Sequence, residues 1–483
     1  MDDKMLTEAT IRKWKPVLDH ADLPQITDAH KRATIATLLE NQEKDIRLQS
    51  LIEANSSNVG GGGMSPVVSG EGNIKGYDPI LIQLVRRAMP NLMAYDICGV
   101  QAMNAPTGLI FAMRSKFSGA ESNGSFGAEA FFNESPTTWS GGTGANAQSG
   151  SGSLGKGDTA GFGSFFIDPF QGHPALGNPA STSGITTGSG INTGAGEGLT
   201  PNEMGFSIER VAVEAKTRAL AASYSIELAQ DLKAVHGLDA ETELANILST
   251  EILSEINREV VRTVYKTATL GAQQGDLYYK TIVGGLTSAG TAAVGGVYDL
   301  IQDSDGRWSA EKFRGLMFQI ERECNQIAKE TRRGKGNFII CSADVASALA
   351  MGGFLNISPA INTSLDVDDT GNTFAGTLNG KLKVYIDPYV DTSATSSSNF
   401  VCVGYKGTSP YDAGLFYCPY IPLQMMRAVD TSTFQPKMAF KTRYGMVANP
   451  FAEGSTVGGG RLQARSNKYY RIFRVDNLHG VAS

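Results

Sequence analysis

The stretch of this chain closest to a catalytic motif is the glycine-rich segment 150–157 (GSGSLGKG). Its pattern, G-x-x-x-x-G-K, matches the loop that holds nucleotide phosphates, but Gly157 stands where a Ser or Thr must bind magnesium. The flanking residues predict neither the strand before such a loop nor the helix after it. In so glycine-rich a tract the match is expected by chance, and Lys156 is interpreted as a solubilising charge.

Other side chains that often do chemistry are spaced in ways that suit neither catalysis nor metal binding. The acidic run 366–371 offers oxygen ligands suited to calcium, but Thr370 replaces the third acidic ligand and Thr377 stands in place of the distal Glu. The five histidines form no metal-binding pattern. The five cysteines lack a C-x-x-C pair, so we interpret them as small buried hydrophobic residues. We therefore predict no catalytic residue, no metal site and no cofactor.

Composition describes a globular protein with many special turns. The 483 residues suffice for two or three packed units and include 56 glycines, with 41% hydrophobic and 19% charged residues. The net charge of −6 argues against a general nucleic-acid-binding surface, and the pairs at 86–87 and 332–333 are given no DNA role. No window approaches the ~20 apolar residues of a membrane span, and the N-terminus is too charged for a secretory signal, which predicts a protein kept in the cytosol.

Hydrophobic periodicity predicts two long strands and a long helix. The strands are predicted at 109–117 and 206–215, on either side of an insert, 118–203, rich in Gly and Ser. Eight aromatic residues in this insert favour a small β-rich unit over a disordered linker. Apolar residues recur every four positions at 239–265, which predicts a helix about 40 Å long.

The second half of the chain alternates between helices and strands. A helix is predicted at 310–331, and another is predicted to follow its cap at Ser342 and run to Met351. Strands are predicted at 338–341, 382–386, 400–404, 414–417 and 438–444. This mixture predicts an α+β fold rather than a doubly wound sheet.

The first sixty residues have the layout of a removable leader. A helix is predicted at 27–53, with Thr27-Asp28 as its N-cap and one narrow apolar face, formed by Ile35, Leu38, Leu39 and Ile46. Such a helix can dock on another surface but makes no core by itself. The glycine tract 60–63 supplies the flexible backbone that proteolysis needs. Pattern alone also fits an ordinary N-terminal helix followed by a linker, and favours that plainer interpretation.

Sequence blocks along most of the chain are similar to those of one viral family. In the leader they are 14–16 (WKP) and 40–45 (ENQEKD); later blocks are 85–92 (VRRAMPNL), 96–101, 105–108, 224–232 (YSIELAQDL), 255–259, 336–340 (GNFII), 403–407, 434–436 and 441–445. With these blocks in family order, the chain resembles the major capsid proteins of T-even-type tailed bacteriophages. The resemblance is lost at 118–203 and 270–308.

The resemblance implies that residues 1–53 are a cleavable propeptide. In this family a phage-encoded prohead protease cuts after the glutamate of a Leu/Ile-x-Glu motif, usually before a small residue, and Leu51-Ile52-Glu53 followed by Ala54 fits that rule. The triplets 38–40 and 253–255 also match, but the first precedes Asn41 and the second lies inside a predicted helix. Cleavage after Glu53 is therefore predicted.

The same resemblance implies a tailed-phage capsid fold of Hong Kong type, with peripheral and axial domains, a long spine helix and an extended hairpin arm carrying a small β-rich insertion. The implied domains are the propeptide, 1–53; an N-terminal arm, 54–95; the hairpin arm, 96–225, with its insertion at about 118–203; a peripheral domain, 226–309, with the spine helix 239–265; an axial domain, 310–424; and the rest of the peripheral domain, 425–483.

The implied function is structural and not enzymatic. Copies of the chain would form hexamers that tile an icosahedral or prolate head, first as a prohead in the host cytoplasm and then, after propeptide removal, in the virion. Implied partners are the chain itself, a capsid vertex protein, an internal scaffolding protein, the prohead protease, decoration proteins and a folding chaperone. Packaged DNA would be touched only non-specifically, and no membrane is involved. Two alternatives remain: a pentameric vertex protein of the same fold, and an unrelated Gly/Ser-rich surface or fibre protein.

Overall fold

The computed structural model describes residues 2–19, 26, 28–56, 92–118, 126–129, 204–272, 296–301, 303–304, 308–353, 355–356, 373–389, 399–430, 435–452 and 460–478. Its helices are α1 (Asp2–Leu18), α2 (Ala29–Ser56), α3 (Ala94–Ile97), α4 (Ile226–Val235), α5 (Ala240–Thr267), α6 (Ser309–Thr331) and α7 (Ala343–Met351). Its strands are β1 (Gly99–Val100), β2 (Thr107–Ser118), β3 (Phe126–Glu129), β4 (Met204–Glu214), β5 (Lys216–Ser223), β6 (Ala268–Leu270), β7 (Val297–Asp299), β8 (Phe338–Ser342), β9 (Leu355–Asn356), β10 (Thr373–Leu378), β11 (Leu382–Asp387), β12 (Phe400–Gly404), β13 (Leu415–Val429), β14 (Pro436–Ala448) and β15 (Asn467–Asp476). The phosphate-loop-like segment 150–157, the acidic run 366–371 and most of the insert 118–203 lie outside these residues.

The strands form mixed sheets, which confirms the α+β class. One sheet has the order β1-β13-β14-β5, and a larger one has the order β6-β15-β12-β8-β11-β10-β9, with β7 beside β15. Most neighbours are antiparallel, but four of the described pairs run parallel: β1 with β13, β8 with β11, β6 with β15 and β7 with β15. Residues Ile110–Arg210 make up a separate compact unit, in which β2 lies between β3 and β4.

The predicted helices and strands are largely confirmed, and the differences have local causes. Strand β13 continues to Val429 instead of ending near Tyr417, because register shifts on either side of Ile421 absorb Pro419 and Pro422, which cannot donate to the sheet. The remaining elements, namely α1, α3, α4, β1, β3, β5, β6, β7, β9, β10 and β15, are not among the predicted ones. Pro16 lies in the last turn of α1.

The helix periodicity marks the faces that pack. Helix α5 buries Leu248, Ile252, Ile256, Val260 and Val264 against the sheets, as the four-residue spacing predicts. Helix α6 packs on the larger sheet through a second cluster that includes Leu316, Ile320, Cys324 and Ile327.

The five cysteines are all buried free thiols, as predicted. Burial raises the pKa of the Cys98, Cys324, Cys341 and Cys418 thiols to about 12. These groups therefore stay protonated and unreactive at neutral pH.

One buried ion pair holds α6 to β15. The Arg471 guanidinium donates to Glu323 at 2.6 Å and to Glu330 at 2.9 Å, and both Arg471 and Glu323 have side chains only 5% exposed. The second Glu323 oxygen accepts from the backbone N–H of Ala272 at 2.7 Å and from the Gln319 amide at 2.8 Å. Because Glu323 accepts three hydrogen bonds and Arg471 donates to two carboxylates, the desolvation cost of burying these charges is partly offset.

Candidate processing site

The three residues predicted to carry processing lie at the end of helix α2. Leu51, Glu53 and Ala54 fall within its last two turns, before the helix ends at Ser56. A protease needs extended backbone, and the final turn of a helix unwinds more easily than its middle because its last carbonyls have no partner within the helix. The glycine tract 60–63, predicted to help cleavage, lies outside the described residues.

Both competing triplets lie inside helices and begin with buried leucines. Leu38 and Leu39 are fully buried in the middle of α2. Leu253 is 3% exposed and sits in the middle of α5. The burial of these leucines and their mid-helix positions disfavour the two competing triplets, whereas the predicted triplet 51–53 lies near the end of α2.

The leader, residues 1–53, folds back on itself as a helical hairpin. Helix α1 packs against α2 and buries Trp14 and Leu18. The Glu40 carboxylate accepts from the Lys13 ammonium at 2.7 Å and from the Trp14 indole N–H at 3.3 Å. Asp28 accepts from the backbone N–H of His30 at 2.9 Å, which confirms the predicted N-cap region of α2.

The other side of α2 docks on the body of the protein, next to β1 and β13. The Asn41 amide donates to the carbonyl oxygens of Met103 and Tyr420, at 2.8 and 3.0 Å. The His30 ring contacts the Val100 carbonyl through Nε2 at 2.8 Å. The Gln424 amide reaches the Asp45 carboxylate.

Sequence analysis predicted the apolar face of this helix but missed its polar contacts. Ile35, Leu38 and Leu39 are fully buried, as expected for a docking stripe, whereas the side chain of Ile46 is outside the described part. From the sequence, Asn41 has no predicted role beyond following the triplet 38–40. Its position one turn after the buried Leu38, on the apolar side, was the available signal.

Acid should weaken the leader hairpin. Burial by itself raises the pKa of Glu40, but the hydrogen bonds from Lys13 and Trp14 outweigh it and hold this pKa below the ordinary 4.5. A carboxyl whose pKa is lowered by folding stabilises the fold above its unfolded pKa, and this contribution is lost as the pH falls through the folded pKa. We expect α1 to separate from α2 below pH 4.5, which Trp14 fluorescence would follow in a Trp139→Phe/Trp308→Phe background.

The matched control for this transition is Glu40→Gln, which removes the titrating group and keeps its size. This variant should lose the Trp14 transition while other acid-induced changes remain. An unchanged transition in Glu40→Gln would show that Glu40 does not set the acid response.

Metal-binding clusters and membrane-spanning helices are both absent from the described residues. Across the part of the chain that the structure describes, no three His, Cys, Asp or Glu side chains gather to hold a metal ion. No helix in that part is both long and apolar enough to cross a membrane. The described geometry places the predicted cleavage triplet near the end of α2, a helix that packs against α1 and the body.

Comparisons with known proteins bear on the whole chain. Residues 74–475 match the family model described as major capsid protein Gp23. The chain is similar to the major capsid protein of Escherichia phage AR1, with 37% identity over 92% of each chain. It is also similar to the capsid vertex protein of Enterobacteria phage T4, with 27% identity over 54% of this chain and 58% of that protein. Among solved structures, the capsid of Myoviridae phage XM1 covers 80% of this chain and 92% of its own, at 9% identity and a TM-score of 0.36, so the assignment rests on the sequence comparisons.

Proposed function

This chain belongs to the Gp23 family of major capsid proteins, and from that membership we propose that its copies assemble as hexamers into the shell of a phage head. The observation that carries the proposal is the similarity to major capsid proteins over nearly the full length of both chains. A capsid subunit acts by geometry: it repeats one set of contacts around a closed lattice, and needs no catalytic residue.

Exposed apolar side chains support an assembling protein. In the main compact unit, helix α4 buries none of its residues, and Ile226, Leu228 and Val235 are at least half exposed. On the other unit, Phe111, Phe206 and Ile208 are each about 60% exposed on strands β2 and β4. Apolar patches of this kind mark surfaces that a partner covers, and neighbouring copies of the chain are the partner proposed here.

The proposed maturation step is cleavage after Glu53 by a prohead protease. Its support is the Leu51-Ile52-Glu53 triplet before Ala54, its place at a helix end, and the mid-helix position and buried leucines of both competing triplets. The uncut chain would assemble in the host cytoplasm, together with an internal scaffolding protein, a vertex protein, decoration proteins and a folding chaperone. The cut chain, which would contact packaged DNA only non-specifically, would remain in the virion. The domains of the chain would follow the tailed-phage capsid fold.

The vertex-protein alternative is disfavoured by coverage. The match to a vertex protein spans about half of each chain, against 92% for the major capsid protein. A reconstruction of purified particles by electron microscopy tests the choice, because a major subunit fills the hexameric positions. Density for this chain confined to the fivefold vertices, or absent from the shell, would overturn the proposal.

A further inference from the structure

The leader is built into the core of the subunit rather than appended to it. Trp14, Leu18, Ile35, Ala36 and Leu39 belong to the same buried cluster as body residues of α3, β1, β13 and α5. Burial of several apolar side chains in a common core is the kind of contact that holds two separate chains together.

The hydrogen bonds between the body and the leader are made by side chains of helix α2. Strand β1 is the edge of its sheet, and the backbone carbonyls of Val100 and Met103, together with that of Tyr420, take their hydrogen bonds from leader side chains. Asn41 spans two of the three carbonyls with its single amide and is 6% exposed. A buried carbonyl without a partner is costly, so these three carbonyls define a site that selects a correctly placed donor.

The contacts and the processing site lie on different parts of the same helix. Every hydrogen bond to the body described above involves leader residues between His30 and Asp45, and the leader's buried apolar residues also precede Glu53, whereas the predicted cut follows it. Cutting the chain there breaks one peptide bond and removes none of these contacts.

We propose that β1, the segment to Met103 and the 420–424 part of β13 form a helix-binding groove, and that its ligand is the leader of the same chain. The severed leader stays in this groove as a non-covalent ligand, so that cutting and release are two separate steps of maturation. The proposal rests on the proposed function only in assuming that the leader is cut. The groove itself follows from the contacts.

The test cuts the full-length chain at a place that does not depend on the native protease. A recognition sequence for a protease of unrelated specificity is inserted into the glycine tract 60–63, and the cut protein is analysed by gel filtration. We expect the leader to elute with the body, whether the body is monomeric or assembled. A leader that elutes alone as soon as the chain is cut would overturn the proposal, and would leave the assignment of Glu53 and the capsid function untouched.

Variants confined to a synthetic leader avoid any effect on folding of the body. A labelled peptide of residues 1–53 is exchanged into the cut protein, and its dissociation constant is compared with those of Asn41→Leu, Gln42→Leu and Lys44→Gln peptides. Asn41→Leu should weaken binding at least about tenfold, because it removes the donor to the buried Met103 carbonyl and to the partly buried Tyr420 carbonyl. Gln42 is equally buried but its Oε1 atom has no partner in the described structure, so its replacement should cost less, and the exposed Lys44 should matter least. Equal affinities for the Asn41→Leu and Lys44→Gln peptides would overturn the proposal that this groove binds the leader.

Discussion

Replacing Glu53 by glutamine is expected to leave residues 1–53 attached when the chain is made together with its prohead protease. The substitution keeps the size of the side chain and removes its charge. A protease pocket that recognises a carboxylate loses charged hydrogen bonds worth about 1.5–3 kcal/mol each, so cleavage should slow by up to about a hundredfold. Denaturing electrophoresis and intact mass would report the uncut chain.

The competing triplets supply the controls for this result. Glu40→Gln and Glu255→Gln alter the glutamates of the two other matching triplets, which lie inside helices α2 and α5. Both variants should be cut at the normal position. Normal cutting of Glu53→Gln, or a block caused by Glu40→Gln alone, would contradict the assignment.

Replacing Arg471 by leucine is expected to destabilise the body by about 3–5 kcal/mol, because it leaves the buried Glu323 carboxylate without its charge partner. The loss should extend beyond one contact, since the same guanidinium also holds Glu330 and the Leu270 carbonyl. Urea denaturation of the soluble chain, followed by circular dichroism, would measure the change in the free energy of unfolding.

Two further variants separate the buried charge from the surface charge. Arg474, three residues along the same strand, pairs with Asp476 at 2.7 Å with its side chain 54% exposed, and Arg474→Gln should change stability by less than about 0.5 kcal/mol. Adding Glu323→Gln to Arg471→Leu should recover part of the lost stability by removing the uncompensated charge. Equal losses in Arg471→Leu and Arg474→Gln would show that the buried pair is not a major support of α6.

The parts of the fold that the sequence predicts are those where one residue pattern decides the outcome. Helix α5 was expected at 239–265 and is found at Ala240–Thr267, because its apolar residues repeat at the helical period and nothing inside it breaks a helix. Strand β8 was likewise expected from a short apolar run, and all of its residues are buried.

Long-range strand pairing and exceptions to local rules could not be predicted from the sequence. Strand β13 carries Pro419 within its length, and only its register with β14, set by residues far along the chain, makes it continuous. The role of Asn41 depends on carbonyls 62 and 379 residues away in sequence, which no local pattern reveals. Similarly, the motif gives three candidate cleavage triplets, and only the fold shows that two of them lie inside helices with buried leucines while 51–53 lies near a helix end.

The most direct test of the account is the intact mass and N-terminal sequence of this chain taken from purified particles. We expect an abundant shell protein that begins at Ala54. An uncut chain that begins at Met1, or a chain that begins at another residue, would contradict the cleavage assignment, and low abundance would contradict the role as major subunit.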